Sequence, residues 1–393
     1  MPITLLHQCG HNANWNIDSY RDDECGDGLI LSPVHQSQPT IDKLGDDIIQ
    51  ASIFDPQYYL PNSQKKKLKT YEFFPEVISG GFDTLEFSTL AIESARSCLG
   101  FQLEKDFHRI MIPARHFSDM EPDYIEKQEV YTVHPFLQAI EEEGVGKEIF
   151  LTLPLTSRML MHDRYRTNIL NWITSYPEID GVYLLVEDDR ASKQIQDHNF
   201  LKKYLTSVYE LRDAGLKVLV GHCNTEALLF TLIEGCEITF GAYENTRMFS
   251  VDKFVVSDED RRGPRARLYM PGLLNWIQYP QAVEIRDGLG SVWDRIYSET
   301  TYAEEAFESA IDPHFNYPGL YKHYFLNFQE QIDTLSEVSD SQRYEILRDL
   351  LRNAQENYYE IERWPLDLDR HGRGDHIEPW LDSLNWFYRS FLS

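Results

Sequence analysis

The fold class this sequence predicts is α/β, a (β/α)8 TIM-type barrel carrying a C-terminal helical subdomain. Three observations point there. Short apolar, β-branched runs alternate with helical stretches, the pattern of βαβ units around a parallel sheet. The runs number eight, the count a closed barrel requires. The chain has 393 residues, enough for a barrel of about 250 residues with an appendage. A doubly wound sheet is the other architecture the same units can build.

The predicted strands are Ile3–Gln8, Gly28–Ser32, Ile48–Phe54, Arg109–Pro113, Ile149–Pro154, Val182–Glu187, Lys217–Val220 and Glu237–Phe240. Helices are expected between them over Phe87–Cys98, Val133–Glu143, Arg166–Ser175, Phe200–Ala214 and Thr225–Ile233. Four of these run into Gly100, Gly144, Gly215 or Gly235, where glycine permits a left-handed C-terminal turn. Asn224 stands where the last one needs an N-cap. Asp252–Arg267 is charged and reads as a loop, and Pro271 and Pro280 interrupt the apolar stretch Leu268–Val283. From Tyr302 onward the spacing of Leu, Ile, Tyr and Phe is helical, over Gly319–Leu335, Gln342–Ile361 and Glu378–Leu392. The expected division is a barrel with long loops over 1–299 and a helical subdomain over 300–393.

Composition narrows the function classes. Hydrophobic residues make up 42% of the chain, which supports a sizeable core. The formal net charge of -27 disfavours general binding to phosphate backbones or anionic membranes. Nucleic acid is expected only through a local groove at Arg261–Arg267. Five cysteines without a CxxC pair argue against a disulfide framework, and neither a signal peptide nor a span of about 18 apolar residues is legible, so the expected location is cytoplasmic, with no membrane association.

In a barrel, loops at the C-terminal ends of the strands build the active site. Those ends offer the carboxylates Asp55, Glu187, Asp188 and Glu244 as catalytic candidates. Two converging carboxyls can divide acid and nucleophile or base roles at a glycosidic bond. Glu187 leads this set, because it follows the apolar run Val182–Val186 and should stand at the pocket rim. Arg158, His222, Arg247, Asn224, His116 and Gln57 are the candidate substrate binders, the arginines because a guanidinium grips phosphate or carboxylate through two bonds. His7 and His11 lie about 13 Å apart along an extended strand, too far to share an ion unless the chain turns. No HxH, HExxH or paired CxxC motif occurs, so neither metal nor cofactor is expected.

The stretch from Gly221-His222 through Gly235-Cys236-Glu237-Ile238-Thr239-Phe240-Gly241-Ala242-Tyr243 resembles the last barrel strands of tRNA-guanine transglycosylases. In that family a Gly-Cys-Asp-like start leads into the strand that carries a catalytic aspartate. Here the nearest position holds Phe240 or Gly241, and the family's cysteine-rich zinc segment is absent. The resemblance covers about 30 residues and implies that a relocated carboxylate such as Glu244 replaces the aspartate, or that the activity is lost.

The expected function is carboxylate-dependent cleavage or transfer at a glycosidic or N-glycosidic bond of a small-molecule or nucleotide-like substrate. The alternative is a non-catalytic barrel that binds a protein partner through the C-terminal helices, with Trp364, Trp380, Trp386 and Phe387 at the interface.

Overall fold

Residues 182–186, Val-Tyr-Leu-Leu-Val, lack any charge, as a strand covered on both faces demands. The computed structural model, which describes residues 2–74, 85–190, 192–256 and 263–393, places them in the middle of an eight-stranded parallel sheet. The strands are β1 (Thr4–Gln8), β2 (Gly28–Leu31), β3 (Ser52–Phe54), β4 (Ile110–Ile112), β5 (Ile149–Thr156), β6 (Gly181–Glu187), β7 (Lys217–Val220) and β8 (Cys236–Phe240). Their order is β3-β2-β1-β8-β7-β6-β5-β4. The first and last strands of the series therefore pair, Leu5 beside Ile238, and the sheet curls into a nearly closed barrel. At the seam between β3 and β4, His108 N–H donates to the Ser52 carbonyl at 2.9 Å.

The barrel interior is filled by side chains. Tyr183 on β6 points its hydroxyl at Gln8 Oε1, 2.9 Å away. Gly221 makes room for it: a Cβ there would stand 2.4 Å from the Tyr183 ring.

Several expected boundaries move. Ile48 and Ile49 belong to a short helix, Asp46–Gln50, not to the third strand. Asp46 and Asp47 in its first turn favour the positive end of the helix dipole, and a short apolar run alone does not separate strand from helix. The helix expected to end at Gly100 runs over Leu85–Lys105. Nothing lies within 4 Å of a Cβ at Gly100, so the glycine costs only its propensity, about 1 kcal/mol relative to alanine. Gly144 and Gly235 do adopt left-handed φ, 64° and 70°. Only Ala227–Phe230 of the helix expected over Thr225–Ile233 forms, and Asn224 does not cap it. Its Nδ2 donates instead to the Lys193 carbonyl at 3.2 Å.

Beyond the barrel, Leu268–Val283 contains an antiparallel hairpin, β9 (Arg267–Met270) with β10 (Asn275–Gln278), and Pro271 lies in its turn. Long helices over Pro318–Ser336, Asp340–Glu362 and Ile377–Phe387 follow. They pack straight onto the barrel. Phe325 and Phe328 meet Phe240 of β8 at centroid distances of 5.1 and 6.1 Å. Trp380 is fully buried and donates Nε1–H to the Ile195 carbonyl at 2.8 Å. Phe387 is buried as well and Trp386 half-buried, so this packing occupies them, whereas Trp364 keeps 39% of its surface exposed. Among the described residues no helix is long and apolar enough to cross a membrane. All five cysteines are buried and free.

Candidate functional site

The strand ends deliver a compact set of ionisable groups to the C-terminal mouth of the barrel. Just past β3, Asp55 is fully buried and accepts from Tyr59 Oη at 2.9 Å and from the Gln57 amide at 3.1 Å. Glu187 closes β6. Its Oε2 lies 3.0 Å from His116 Nε2, supplied by the segment after β4, and its Oε1 accepts from the Val251 amide at 2.8 Å. His222 follows β7, with Nε2 3.0 Å from Lys253 Nζ.

Lys253 belongs to a 3-10 turn, Val251–Phe254, in the segment after β8. That segment crosses the mouth. Phe249 pairs with Glu187 through a β-bridge and packs its ring against Tyr59, His222 and His116 at 5.2, 5.5 and 6.0 Å. Phe254 packs on Tyr59 at 5.3 Å, and its carbonyl accepts from Ser63 Oγ at 2.6 Å. The amine of Lys253 is thereby held inside, facing the charges of both Asp55 and Glu187.

Burial sets the protonation of this cluster. Removal from water pulls the Lys253 ammonium down to about 7, against the pull of Asp55 and Glu187. The same desolvation pushes Asp55 up to about 6, opposed by the Tyr59 hydroxyl and the Lys253 charge. Glu187 goes the other way. Burial opposes its ionisation, but His116 and the Val251 amide hold it below the usual carboxylate range. His222 is kept neutral by burial and by the adjacent lysine. Two carboxyls of one cluster are thus driven apart, the arrangement that separates an acid from a base. The backbone is strained at the same place: His222 and Gln57 have φ of 54° and 58°, a conformation non-glycine residues adopt at a cost of order 1–3 kcal/mol.

A second concavity opens at the rim beside β8, a cleft of about 430 Å³. Tyr243, Trp276, Phe315 and Tyr321 form apolar walls, and Glu244, Arg247, Arg265 and Arg267 supply charge. Glu244 is paired with Lys193 at 2.8 Å; burial opposes its charge, and the lysine holds it below the usual range. Arg247 is buried with its guanidinium 3.9 Å over the Trp276 ring, donating to the Ala242 carbonyl at 2.8 Å.

No family model matches this chain, and no curated protein matches it.

The structure therefore divides the residues expected at one site. Asp55, Glu187, His116 and His222 meet around Lys253, and Gln57 supports them by accepting from the Val34 amide at 2.9 Å. Glu244 and Arg247 belong to the rim cleft instead. Asp188 lines a small crevice with Arg190, Glu226 and the far side of the His222 segment, its carboxyl raised by burial. Asn224 is buried and bound to main chain. Arg158 is exposed on the short helix Ser157–Met161, and no hydrogen bond or ion pair joins it to either concavity among the described residues. Arg261 and Arg262 of the expected nucleic-acid groove lie outside the described residues, while Arg265 and Arg267 line the rim cleft.

Lys253, Tyr59 and Phe249 were missed by reading strand ends. The signal available was apolar spacing: Phe249, Val251 and Phe254 interleave with Asp252 and Lys253, which a solvated loop has no reason to do. His7 is a core residue, with Nε2 2.8 Å from the Cys25 carbonyl and its ring against Phe240. Among the described residues no group of three or more His, Cys, Asp or Glu side chains is placed to hold a metal ion.

Proposed function

We propose that this chain is an enzyme that cleaves or transfers at a glycosidic or N-glycosidic bond, with its acid–base pair at the barrel mouth. One observation carries the reading. Three strand ends and the crossing segment bring Asp55, Glu187 and His222 to a single buried amine, Lys253. Burying a lysine among carboxyls is costly for a protein that needs only a stable core, and perturbed groups gathered at a strand-end mouth are what catalysis requires.

In this reading Asp55, the carboxyl that keeps its proton longest, donates it to the departing oxygen or nitrogen. Glu187 stays ionised and either attacks the anomeric carbon or activates the incoming acceptor. His116 fixes the Glu187 carboxylate from the far side. Lys253 lowers the cost of charge on both carboxyls, and His222 holds the lysine in place. Transfer between bases, as the resemblance to transglycosylases implies, and simple hydrolysis share these steps and differ in the acceptor.

The test is a panel of nucleosides, nucleotides and oligosaccharides incubated with the protein and analysed by mass spectrometry for released base or sugar. Wild type should release one product class, and Asp55→Asn and Glu187→Gln should each lower the rate by at least about 100-fold, the usual range for a lost acid or base. Equal rates in the folded amide variants would falsify the assignment.

A further inference from the structure

We propose that the rim cleft beside β8 is a binding site for a flat aromatic ring that bears an oxyanion, a ligand of mononucleotide size. This site is distinct from the mouth cluster, and nothing in the acid–base reading assigns it.

The cleft has the volume for such a ligand, about 430 Å³, within the usual range of small-molecule pockets. Its walls are flat rings. Trp276 and Tyr321 stand with centroids 6.2 Å apart, and Tyr243 meets Tyr321 at 5.2 Å. Trp15 stacks behind Tyr321 at 5.3 Å and stiffens that wall. Tyr243 is held from both sides, accepting from Asn12 and donating to Asn316, each at 2.8 Å.

Two buried donors lack acceptors. Arg247 is 5% exposed and Trp276 4% exposed, yet Arg247 Nε and Trp276 Nε1 have no hydrogen-bond partner among the described residues. Both residues line the cleft. Arg265 stands exposed at the edge, paired only with the neutral Gln278 at 2.9 Å among the described residues, and is free to close on an anion. The other charges nearby are already matched: Arg267 by Asp369, and Glu244 by Lys193. In a chain of formal charge -27 this leaves a local excess of positive charge over an aromatic floor. Rings stack on such walls and guanidinium groups bind phosphate or carboxylate, so the two features together select a ring and an anion in one molecule.

Isothermal titration calorimetry with AMP, adenosine and inorganic phosphate tests this on the full chain. AMP should bind with a dissociation constant below about 1 mM, at least tenfold more tightly than either fragment. Arg265→Ala, at an exposed position, should weaken AMP about tenfold, the cost of one hydrogen bond to a charged group, and leave adenosine unchanged. Glu187→Gln should bind AMP like wild type, which separates this site from the mouth chemistry. The proposal is overturned if AMP shows no heat at about 1 mM, if phosphate alone binds as tightly as AMP, or if Arg265→Ala binds AMP unchanged.

Discussion

Replacing Lys253 by methionine keeps the aliphatic stem in place and removes the buried charge. Lowering the ammonium's pKa from 10.5 to about 7 corresponds to about 5 kcal/mol of destabilisation at low pH, at about 1.4 kcal/mol per tenfold. The pH dependence follows from linkage. Below about 7 the amine is charged in both the folded and unfolded chain, and the full cost is present. From about 7 to 10.5 the unfolded chain keeps a proton that the folded chain releases, so the cost shrinks by about 1.4 kcal/mol per pH unit. Lys253→Met should therefore be more stable than wild type near neutrality, and its advantage should fall by roughly 2–3 kcal/mol between pH 7.5 and 9.5. Loss of the neighbouring cation also raises the Asp55 carboxyl, which steepens the fall in the same direction. Urea denaturation of both proteins at closely spaced pH values measures the difference. A stability difference independent of pH would show that the amine keeps its proton and its water in the folded state, and the account of the mouth would be wrong.

Other expectations concern the frame that holds the mouth. At the opposite end of the barrel Arg109 grips Glu237 through bonds of 2.6 and 2.8 Å, with its guanidinium 4.4 Å over Phe150. Arg109→Met should cost about 3–5 kcal/mol by leaving Glu237 buried and unpaired, and adding Glu237→Leu should recover much of it; chemical denaturation reads both. Trp380→Ala should cost about 3–5 kcal/mol, because the indole is fully enclosed and bonded to the Ile195 carbonyl. Unchanged stability in that variant would mean that the C-terminal helices are not part of the barrel's coat.

The barrel was legible because strands covered on both faces must be continuously apolar. Val182–Val186 and Lys217–Val220 therefore declare themselves, and helices running into Gly144 or Gly215 mark the spacing between strands. Helix limits were less legible where two weak signals competed. Gly100 reads as a stop, yet tertiary packing carries the helix through it. Asn224 reads as a cap, yet its amide is spent on Lys193. For the site, strand ends located Asp55, His116, Glu187 and His222, since chain position alone puts them at the mouth. It could not locate Lys253, which lies 13 residues past β8 and returns only because Phe249 and Phe254 bury themselves against Tyr59. Nor does the order of residues along the chain separate Glu244 and Arg247 from the mouth. That separation goes with the hairpin of β9 and β10, which places Trp276 under the Arg247 guanidinium.

The pH dependence of kcat/KM, on the first glycoside found to turn over, tests the central claim most directly. With Glu187 as the ionised partner and Asp55 as the proton donor, the rate should be highest on the acid side of neutrality. It should fall with unit slope above about pH 6, as Asp55 loses its proton. A rate that instead climbs through pH 7 would assign the chemistry to the neutral amine of Lys253, and it would contradict the carboxyl pair.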